Sequence, residues 1–429
     1  MASKAAARGL RPRHGARMVS RRGWGPGLLA LAFACSSSPS QSGGGVDAAA
    51  GETAAGASED AGTINVAPLV VDPGPPGVQA VNVAYTTVTL CRPGTTVCQT
   101  IDHVEVDTGS VGLRIISSVL DASLMLPQET AANGSPLIEC YQYADGYNWG
   151  PVVTADVHMG GELAAALPLQ IAGGAASTPV PSGCSGAGTE EDTVSDLGGN
   201  GIVGLGYEST DCGSSCASTT SPKLGSYYAC AGSTCTASGV PLAGQVQNPI
   251  ALFTRDNNGV AVELPSIDSA GAATVTGSLI FGIGTAPNNG LGAAQVITID
   301  TNTGSFTTVF GGQVLAASFI DSGSLSYSFP DSTLAPCSGN QTGFYCPTST
   351  VGLMATNEGF NRVNIPTSFS VANATTLYAS GDAAFDDLAI TAFAPGYFDW
   401  GLPFFYGRTV FTAISAAMTP AGPGPYFAY

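Results

Sequence analysis

Two near-identical tetrapeptides carry the residue types in this chain that could do chemistry. The first is Asp107-Thr108-Gly109-Ser110 and the second is Asp321-Ser322-Gly323-Ser324. Each follows an apolar run that is typical of a buried strand. A carboxylate at the end of such a strand is costly unless it is paired or used. Two of them, 214 residues apart (321 minus 107) and in matching settings, predict one site built from two halves.

Paired carboxyl groups have a defined chemistry. Two of them held about 3 Å apart cannot both ionise cheaply, so they share one proton over a broad acidic range. The ionised group can take a proton from a bound water, while the protonated group can hydrogen-bond a peptide carbonyl. We therefore expect catalysis with no cofactor, no metal and no covalent intermediate. The alternative for Asp107 alone is a strand-end acid that caps its turn, but the matching Asp321 favours a pair.

The residues beside the two acids are expected to hold them in place. The glycines let the backbone approach the carboxylates and donate N–H groups. The hydroxyl residue after each acid is a candidate to bond across the two halves, and the final serine of each tetrapeptide is a candidate donor to an outer carboxylate oxygen. These support residues are Thr108, Gly109, Ser110, Ser322, Gly323 and Ser324.

Composition predicts an all-β secreted protein that does not bind nucleic acid. The 429 residues allow two domains, and they include 57 Gly and 28 Pro, with 10% charged and 44% hydrophobic residues. The formal net charge is −18, and seven of the 13 basic residues lie in the first 22 positions. The remainder carries 6 basic against 31 acidic residues, a net of −25. Such an acidic body repels DNA and RNA.

The first 35 residues predict a secretion signal. Basic residues precede the apolar run 27–34, which is too short to span a bilayer, and Cys35 follows it. This order resembles a bacterial lipoprotein signal, so we expect lipidation at Cys35; ordinary cleavage near Ala34 is the alternative. Residues 36–63 are poor in apolar side chains and predict a disordered tether. The predicted location is the periplasm, outer membrane or cell surface, or the medium, with membrane contact only through the lipid anchor.

Cysteine parity supports an oxidising compartment. Ten cysteines follow Cys35, which is an even number, and there is no CxxC pair. Only His103 and His158 follow the leader, which disfavours zinc. Spacing leaves the connectivity open. The close neighbours in sequence are Cys91 and Cys98, Cys212 and Cys216, Cys230 and Cys235, and Cys337 and Cys346, with Cys140 and Cys184 remaining.

Strand signals place both acids at strand ends. Residues 81–90 and 101–106 predict a hairpin that delivers the first acid, and 316–320 predict a strand that delivers the second. Residues 141–159 predict another hairpin with an aromatic tip. The cysteine-rich segment 207–246 predicts an irregular surface insertion held by disulfides.

These motifs together resemble the pepsin-like family of aspartic peptidases. The resemblance covers roughly residues 80–429 and starts from the two acidic tetrapeptides. Gly201-Ile202-Val203-Gly204-Leu205 is similar to the glycine motif that crosses behind the first active loop of that family. Trp400-Gly401-Leu402 is similar to its partner in the second half. Tyr143-Ala144-Asp145-Gly146 resembles the flap. The chain also resembles a group of exported bacterial proteins that carry the DTGS signature.

The resemblance implies a fold and an activity. It implies an all-β, bilobed, pepsin-like double-β-barrel fold with an active cleft between the lobes. Residues 64–246 would form the N-terminal lobe and 247–429 the C-terminal lobe. Asp107 and Asp321 would be the catalytic pair of a monomeric endopeptidase that acts on polypeptides at acidic pH. Tyr143 and Gly146 would belong to the flap that covers the substrate.

One departure from the family pattern motivates a second hypothesis. The family often has an Asn and then an aromatic residue shortly after its first signature, where this chain has Gly112 and Arg114. Arg114 cannot give the usual aromatic support to the flap tyrosine; pairing with a carboxylate and lining the cleft are its alternatives. A non-catalytic surface protein on the same fold, binding a peptide, glycan or protein partner, is therefore the second expectation.

Overall fold

The computed structural model describes residues 65–144, 146–175, 178–186, 188–218, 225–392 and 395–429. The predicted signal, the lipidation site at Cys35 and the tether at 36–63 lie outside these residues. Those described are predominantly β, as expected, and belong to one compact unit. No described helix is both long and apolar enough to span a membrane.

Short strands dominate both halves of the sequence. In the first half, β1 to β11 are Val66–Val71, Ala84–Cys91, Cys98–Asp107, Val111–Ile116, Leu137–Gln142, Gly146–Met159, Glu162–Ala172, Thr189–Glu190, Gly201–Leu205, Tyr227–Ala231 and Thr234–Ala237. In the second half, β12 to β25 are Gly259–Leu264, Val275–Phe281, Val296–Thr298, Phe306–Phe310, Gln313–Ile320, Tyr327–Phe329, Val351–Glu358, Asn364–Val371, Ala389–Thr391, Asp399–Trp400, Arg408–Ala413, Met418–Thr419, Gly422–Pro423 and Tyr426–Ala428. The helices α1 to α3 are Ser182–Ser185, Val194–Leu197 and Ala374–Ser380.

Six strands of the first half close into a barrel. The pairing order is β2, β3, β9, β4, β7 and β6, and β6 pairs back with β2. β4 is buried at all six positions, as its nearly continuous apolar sequence requires. Asp107 is the last residue of β3, so the barrel wall fixes the backbone of the first acid.

The second acid follows a strand of a separate seven-stranded sheet. The order there is β19, β18, β15, β16, β21, β17 and β20, and Asp321 directly follows β16. Aromatic rings fill the core on one side of this sheet. Phe398 stacks on Trp400 with ring centroids 4.1 Å apart, and the indole N–H of Trp400 donates to Thr308 at 3.2 Å. This packing anchors β21 beside the second acid.

Strands from both halves share the larger sheet. β1, from the start of the described chain, pairs antiparallel with β13 over six residues and also pairs with β2. Asn82 adds a second tie, since its amide donates to the carbonyls of Leu325 and Phe385, both at 2.8 Å. Backbone and side-chain hydrogen bonds thus join residues on both sides of position 246, where the sequence predicts the boundary between the two lobes.

The same local topology surrounds each acid. β9 runs parallel to β3 and antiparallel to β4, so it lies between the strands that precede and follow Asp107. β21 runs parallel to β16 and antiparallel to β17, and so takes the same place around Asp321. A side chain at Gly204 would lie 2.4 Å from the Val111 nitrogen, and one at Gly401 would lie 2.3 Å from the Ser326 carbonyl oxygen. Both glycine motifs therefore require glycine for the same reason.

Five disulfide bonds join all ten cysteines of the described chain. They support the expected oxidising compartment, extracellular or periplasmic. Cys140 and Cys184, which have no close cysteine neighbour in sequence, form the bond that joins β5 to α1. The pairs are Cys91–Cys98, Cys140–Cys184, Cys212–Cys216, Cys230–Cys235 and Cys337–Cys346.

The cysteine-rich segment differs from the predicted surface insertion. Part of it is the regular hairpin β10–β11, and β10 pairs with β5 and extends the sheet. Tyr227 and Tyr228 are buried there. The prediction of an irregular surface segment was wrong for residues 227–237, because glycine, serine and cysteine dominate the composition and hide one short buried strand. The two disulfide bonds within the segment agree with the prediction.

Candidate active site

The two acids meet in the interior of the molecule. Asp107 is 6% exposed and Asp321 is fully buried. The Gly109 N–H donates to Oδ1 of Asp107 at 2.7 Å, and the Gly323 N–H donates to Oδ1 of Asp321 at 2.8 Å. The Ser110 N–H gives Asp107 a further bond at 3.1 Å. The backbone after each acid thus folds back to hold its carboxyl group.

Each motif glycine faces the carboxyl group of the other motif. A Cβ at Gly109 would lie 2.4 Å from Cγ of Asp321, and a Cβ at Gly323 would lie 2.6 Å from Cγ of Asp107. No side chain can be added at either position without displacing the opposite acid. The reciprocal contacts place the two carboxyl groups side by side, as the paired tetrapeptides predicted.

Thr108 and Ser322 make the predicted contact across the two halves. The Thr108 N–H donates to the Ser322 hydroxyl at 3.1 Å, and the Ser322 N–H donates to the Thr108 hydroxyl at 3.0 Å. The Ser322 hydroxyl in turn donates to the Val106 carbonyl at 2.7 Å. Thr108, Ser322 and Val106 are buried. The two reciprocal hydrogen bonds between Thr108 and Ser322, here called the crossed pair, therefore satisfy polar groups that water cannot reach.

Ser322→Ala is expected to destabilise the fold by about 2 kcal/mol, because it leaves a buried N–H and a buried carbonyl unpaired. Thr89→Val is the matched control, since the Thr89 hydroxyl bonds Thr100 on the solvent side. That change should alter the free energy of unfolding by no more than about 0.5 kcal/mol. Chemical denaturation of both variants measures the difference. Equal, small effects would contradict a structural role for the crossed pair.

The two serines that end the tetrapeptides behave differently. The Ser324 hydroxyl lies 3.1 Å from Oδ2 of Asp321, as predicted, and 2.7 Å from Oδ2 of Asp399. The Ser110 hydroxyl is buried without a hydrogen-bond partner among the described residues. The prediction for Ser110 was therefore wrong for its side chain, and its backbone N–H makes the bond instead.

Electrostatics favour a proton on this cluster. Burial, the charge of Asp107, the charge of Asp399 and a side-chain hydrogen bond with Asp107 raise the pKa of Asp321 well above its usual range. The Gly323 N–H opposes that shift without cancelling it. Two acids that share a hydrogen bond in a buried site hold one proton between them, which is the protonation state a water-activating pair needs.

The predicted flap is the tip of a hairpin. β5 and β6 form the hairpin, and the Tyr143 N–H donates to the Gly146 carbonyl at 2.8 Å across its turn. Burial raises the pKa of the Tyr143 hydroxyl well above its usual range; the charge of Arg114 opposes this shift, and negative charges that include that of Asp107 add to it. The hydroxyl donates to Asn148 at 2.7 Å rather than to an acid.

Arg114 is fully buried and pairs with carboxylates. It donates to Glu139 at 2.6 Å and to Asp211 at 3.4 Å. Its guanidinium carbon lies 3.4 Å from the centroid of the Tyr141 ring, and Tyr141 contacts Tyr143 edge-on at 5.0 Å. Burial alone would lower the pKa of Arg114, but the combined attraction of Glu139 and the neighbouring Tyr143, Tyr141 and Asp211 outweighs burial and raises it. Of the two predicted alternatives, carboxylate pairing is the one found, and Arg114 supports the hairpin through a neighbouring ring.

Residues 61–429 match the model of a family described as "Protein of unknown function (DUF3443)". The chain belongs to this family. No curated protein matches it. The matched range contains both acidic tetrapeptides, both glycine motifs and the hairpin, so the whole candidate site lies within the DUF3443 region.

One residue of the DUF3443 site was missed by the sequence reasoning. Asp399 is buried on β21 and bonds the same serine as Asp321. A lone acid inside the apolar run Tyr397–Leu402 was the available signal, because a carboxyl group is rarely buried without a partner or a use. No group of three or more His, Cys, Asp and Glu in the described part of the chain is placed to hold a metal ion.

Residues 189–192, here called the acidic strap, hold the hairpin tip of the DUF3443 region. β8 pairs with the start of β6, where a side chain at Gly146 would lie 2.5 Å from the Thr189 carbonyl oxygen. Asp192 accepts from the Trp149 N–H at 3.1 Å and from the Asn148 amide at 3.3 Å. Burial, followed by a hydrogen bond with Glu190, raises the pKa of Asp192 to about 7. The strap therefore titrates near neutral pH.

The hairpin tip is expected to loosen as the pH rises through about 7. A carboxyl group with a raised pKa stabilises the fold at low pH, and this contribution is lost as the pH passes its folded-state pKa. Hydrogen exchange of residues 146–150, corrected for the intrinsic pH dependence, should show less protection at pH 8 than at pH 5. Asp192→Asn should remove most of that difference, and an unchanged difference in the variant would exclude Asp192 as its origin.

Proposed function

We propose that this chain is an exported aspartic endopeptidase. It would hydrolyse peptide bonds at acidic pH with a water activated by Asp107 and Asp321. The observation that carries the proposal is the reciprocal seating of the acids, in which Gly109 faces the carboxyl group of Asp321 and Gly323 faces that of Asp107. Buried like charges destabilise a fold, and pairs of this kind cluster at functional sites, so the arrangement favours a chemical role over a structural one.

The mechanism follows from one proton shared by two acids. A water bound between the carboxyl groups would lose a proton to the ionised one as its oxygen attacks the peptide carbonyl. The protonated acid would hydrogen-bond the carbonyl oxygen, which becomes negative in the transition state. The backbone N–H groups of Gly109 and Gly323 and the crossed pair of Thr108 and Ser322 keep both acids in position, so little reorganisation is needed.

In this proposal, the hairpin is the part of the site that covers the substrate. Its tip, Tyr143 to Gly146, would cover an extended polypeptide and keep water out while the reaction proceeds. Arg114 lies over the Tyr141 ring and Tyr141 contacts Tyr143 edge-on, so these side chains support the tip. A pepsin-like bilobed fold, with residues 64–246 and 247–429 as its lobes, is part of the same proposal.

The test is proteolysis of an unfolded polypeptide by the mature protein between about pH 3 and 5, where such pairs share a proton. Cleavage should be blocked by a statine-containing peptide, whose hydroxyl mimics the attacking water. Metal chelators and serine-directed reagents should leave the rate unchanged and serve as controls. Loss of activity with a chelator would contradict the proposed chemistry.

The second candidate, a non-catalytic surface protein, gives a distinct result in the same experiment. It would bind a peptide, glycan or protein partner without cleaving it. Saturable binding of the statine-containing peptide with no cleavage at any pH would support that function and contradict the peptidase.

A further inference from the structure

Asp399 is a third carboxyl group linked to the pair. It lies on β21, whose neighbours Phe398 and Trp400 point into the aromatic core. Side chains alternate along a strand, so Asp399 points to the opposite face, where its Oδ2 is 2.7 Å from the Ser324 hydroxyl. Its Oδ1 is buried with no hydrogen-bond partner among the described residues.

The single hydroxyl proton of Ser324 cannot be donated in full to both carboxyl groups. A serine hydroxyl has one proton, but it lies within bonding distance of Oδ2 of Asp399 and of Oδ2 of Asp321. Both contacts are full hydrogen bonds only if one of the acids carries a proton and donates it to the serine oxygen. Asp399 makes the shorter contact and leaves its other oxygen unpaired, so it is the acid whose ionisation the site supports least.

We propose that Asp399 is a positioning residue that controls the Ser324 hydroxyl according to its own protonation. When protonated, it donates to Ser324, and Ser324 directs its only proton to Asp321. When ionised, it takes that proton for itself, so Asp321 loses a donor and a second negative charge lies near the pair. Asp399 thereby sets the alkaline limit of the working site. The rate consequences rest on the proposed peptidase function, while the coupling of the acids does not.

The surroundings of Asp399 agree with a neutral resting state. Burial and then the charge of Asp107 raise its pKa well above the usual range, against the opposing effect of the Ser324 hydrogen bond. Tyr327 on β17 and Tyr397, whose hydroxyl bonds Ser328, are the other titratable groups on the elements packed beside it. The acids that face it across Ser324 are those of the pair.

The sign of the pH effect follows from the raised pKa. Stability contributed by protonated Asp399 is present at low pH and is lost as the pH rises through its folded-state pKa. Asp399→Asn keeps the shape of the protonated acid and a donor toward Ser324 at every pH. The variant should therefore keep the acidic limb of a pH–rate profile, and its alkaline limb should move up by about one pH unit, the lower range of what one nearby charge causes.

The matched control is Asp387→Asn. Asp387 is buried in the same half of the chain, and burial followed by the charge of Asp386 raises its pKa to about 7. Asp387 is not among the main causes of the raised pKa of Asp321 or of Asp399. Asp387→Asn should change the pH dependence of stability and leave the pH–rate profile where it is. An alkaline limb that moves equally in both variants, or in neither, would overturn the proposal.

A double-mutant cycle tests the coupling without any rate measurement. The changes in unfolding free energy caused by Asp399→Asn and Asp321→Asn should be non-additive at neutral pH, while those of Asp387→Asn and Asp321→Asn should add. Additive effects in the first cycle would overturn the proposal, even in a protein with no peptidase activity. If peptidase activity is absent but the first cycle is non-additive, the proposed function fails and the coupling stands.

A second variant covers the case in which Asp399→Asn does not fold. Ser324→Ala removes the hydroxyl and leaves both acids in place. It should lower kcat at acidic pH by about tenfold, as expected for one lost hydrogen bond, with KM little changed. A kcat equal to that of the unmodified protein would show that the hydroxyl does not serve Asp321 and would overturn the proposal.

Discussion

Asp107→Asn and Asp321→Asn should each lower peptide hydrolysis by about 10⁴-fold, the scale seen when one member of a catalytic unit is removed. Asparagine keeps the shape of the acid and can still accept from the Gly109 or Gly323 N–H. It cannot take up or share a proton. The loss should appear in kcat, measured on a fluorogenic peptide at the pH of highest activity.

Stability separates this expectation from simple misfolding. Because burial and neighbouring acids raise the pKa of Asp321, its contribution to stability is lost as the pH rises toward neutral. Asp321→Asn should therefore unfold at an equal or higher temperature than the unmodified protein at pH 7. Asp121→Asn, at an exposed acid that accepts from the Ser123 N–H, is the control that should keep full activity. An inactive variant with a lowered unfolding temperature would contradict this interpretation.

Arg114→Met should destabilise the fold by about 3–5 kcal/mol at pH 7, because it leaves buried acids without their cation. Glu139 and Arg114 are fully buried and bonded at 2.6 Å. Asp211 adds a second acid, whose pKa is raised by burial and then by Glu139. Methionine fills a similar volume, so the loss reflects charge more than packing. Chemical denaturation at equilibrium measures it.

The pH dependence of the destabilisation caused by Arg114→Met tests whether charge is its origin. Protonation of Asp211 at lower pH removes an uncompensated charge, so the cost of Arg114→Met should shrink as the pH falls toward 4. Arg408→Met is the matched control. Arg408 lies over the Phe404 ring at 4.6 Å and donates to the Phe404 carbonyl, so its loss should cost about 1 kcal/mol. A cost for Arg114→Met that is the same at both pH values would contradict the charge-based explanation.

The site was more predictable from sequence than the sheets that carry it. Asp107 and Asp321 were found because an acid after an apolar strand is costly, and the glycine beside each restricts what can approach. The all-β class follows from the turn-rich composition. The glycine motifs at 201–205 and 400–402 are required for the same reason in both halves, because a side chain at Gly204 or Gly401 would meet neighbouring backbone atoms. Such signals are local, so a single sequence displays them.

Features that depend on distant partners were not predictable in the same way. Arg114 could pair or line a cleft, and only the strands that bring Glu139 and Asp211 to it decide between the two. Likewise, β10 is a short strand in a cysteine-rich segment, and its burial depends on pairing with β5. Asp399 had a local signal in its apolar surroundings, but its connection to Asp321 through Ser324 is visible only in three dimensions.

The crossed bonds of Thr108 and Ser322 also bear on when the site can first exist. They join residues 214 positions apart, and the two acids depend on the same long-range contact. A chain that ends before Asp321 contains all six strands of the barrel around Asp107, but it has no second acid and no opposing backbone to hold the first. If the pair is hydrolytic, the chain cannot attack other proteins until its second half has been made and folded. Folding of the second half onto the first would then be the step that first makes hydrolysis possible.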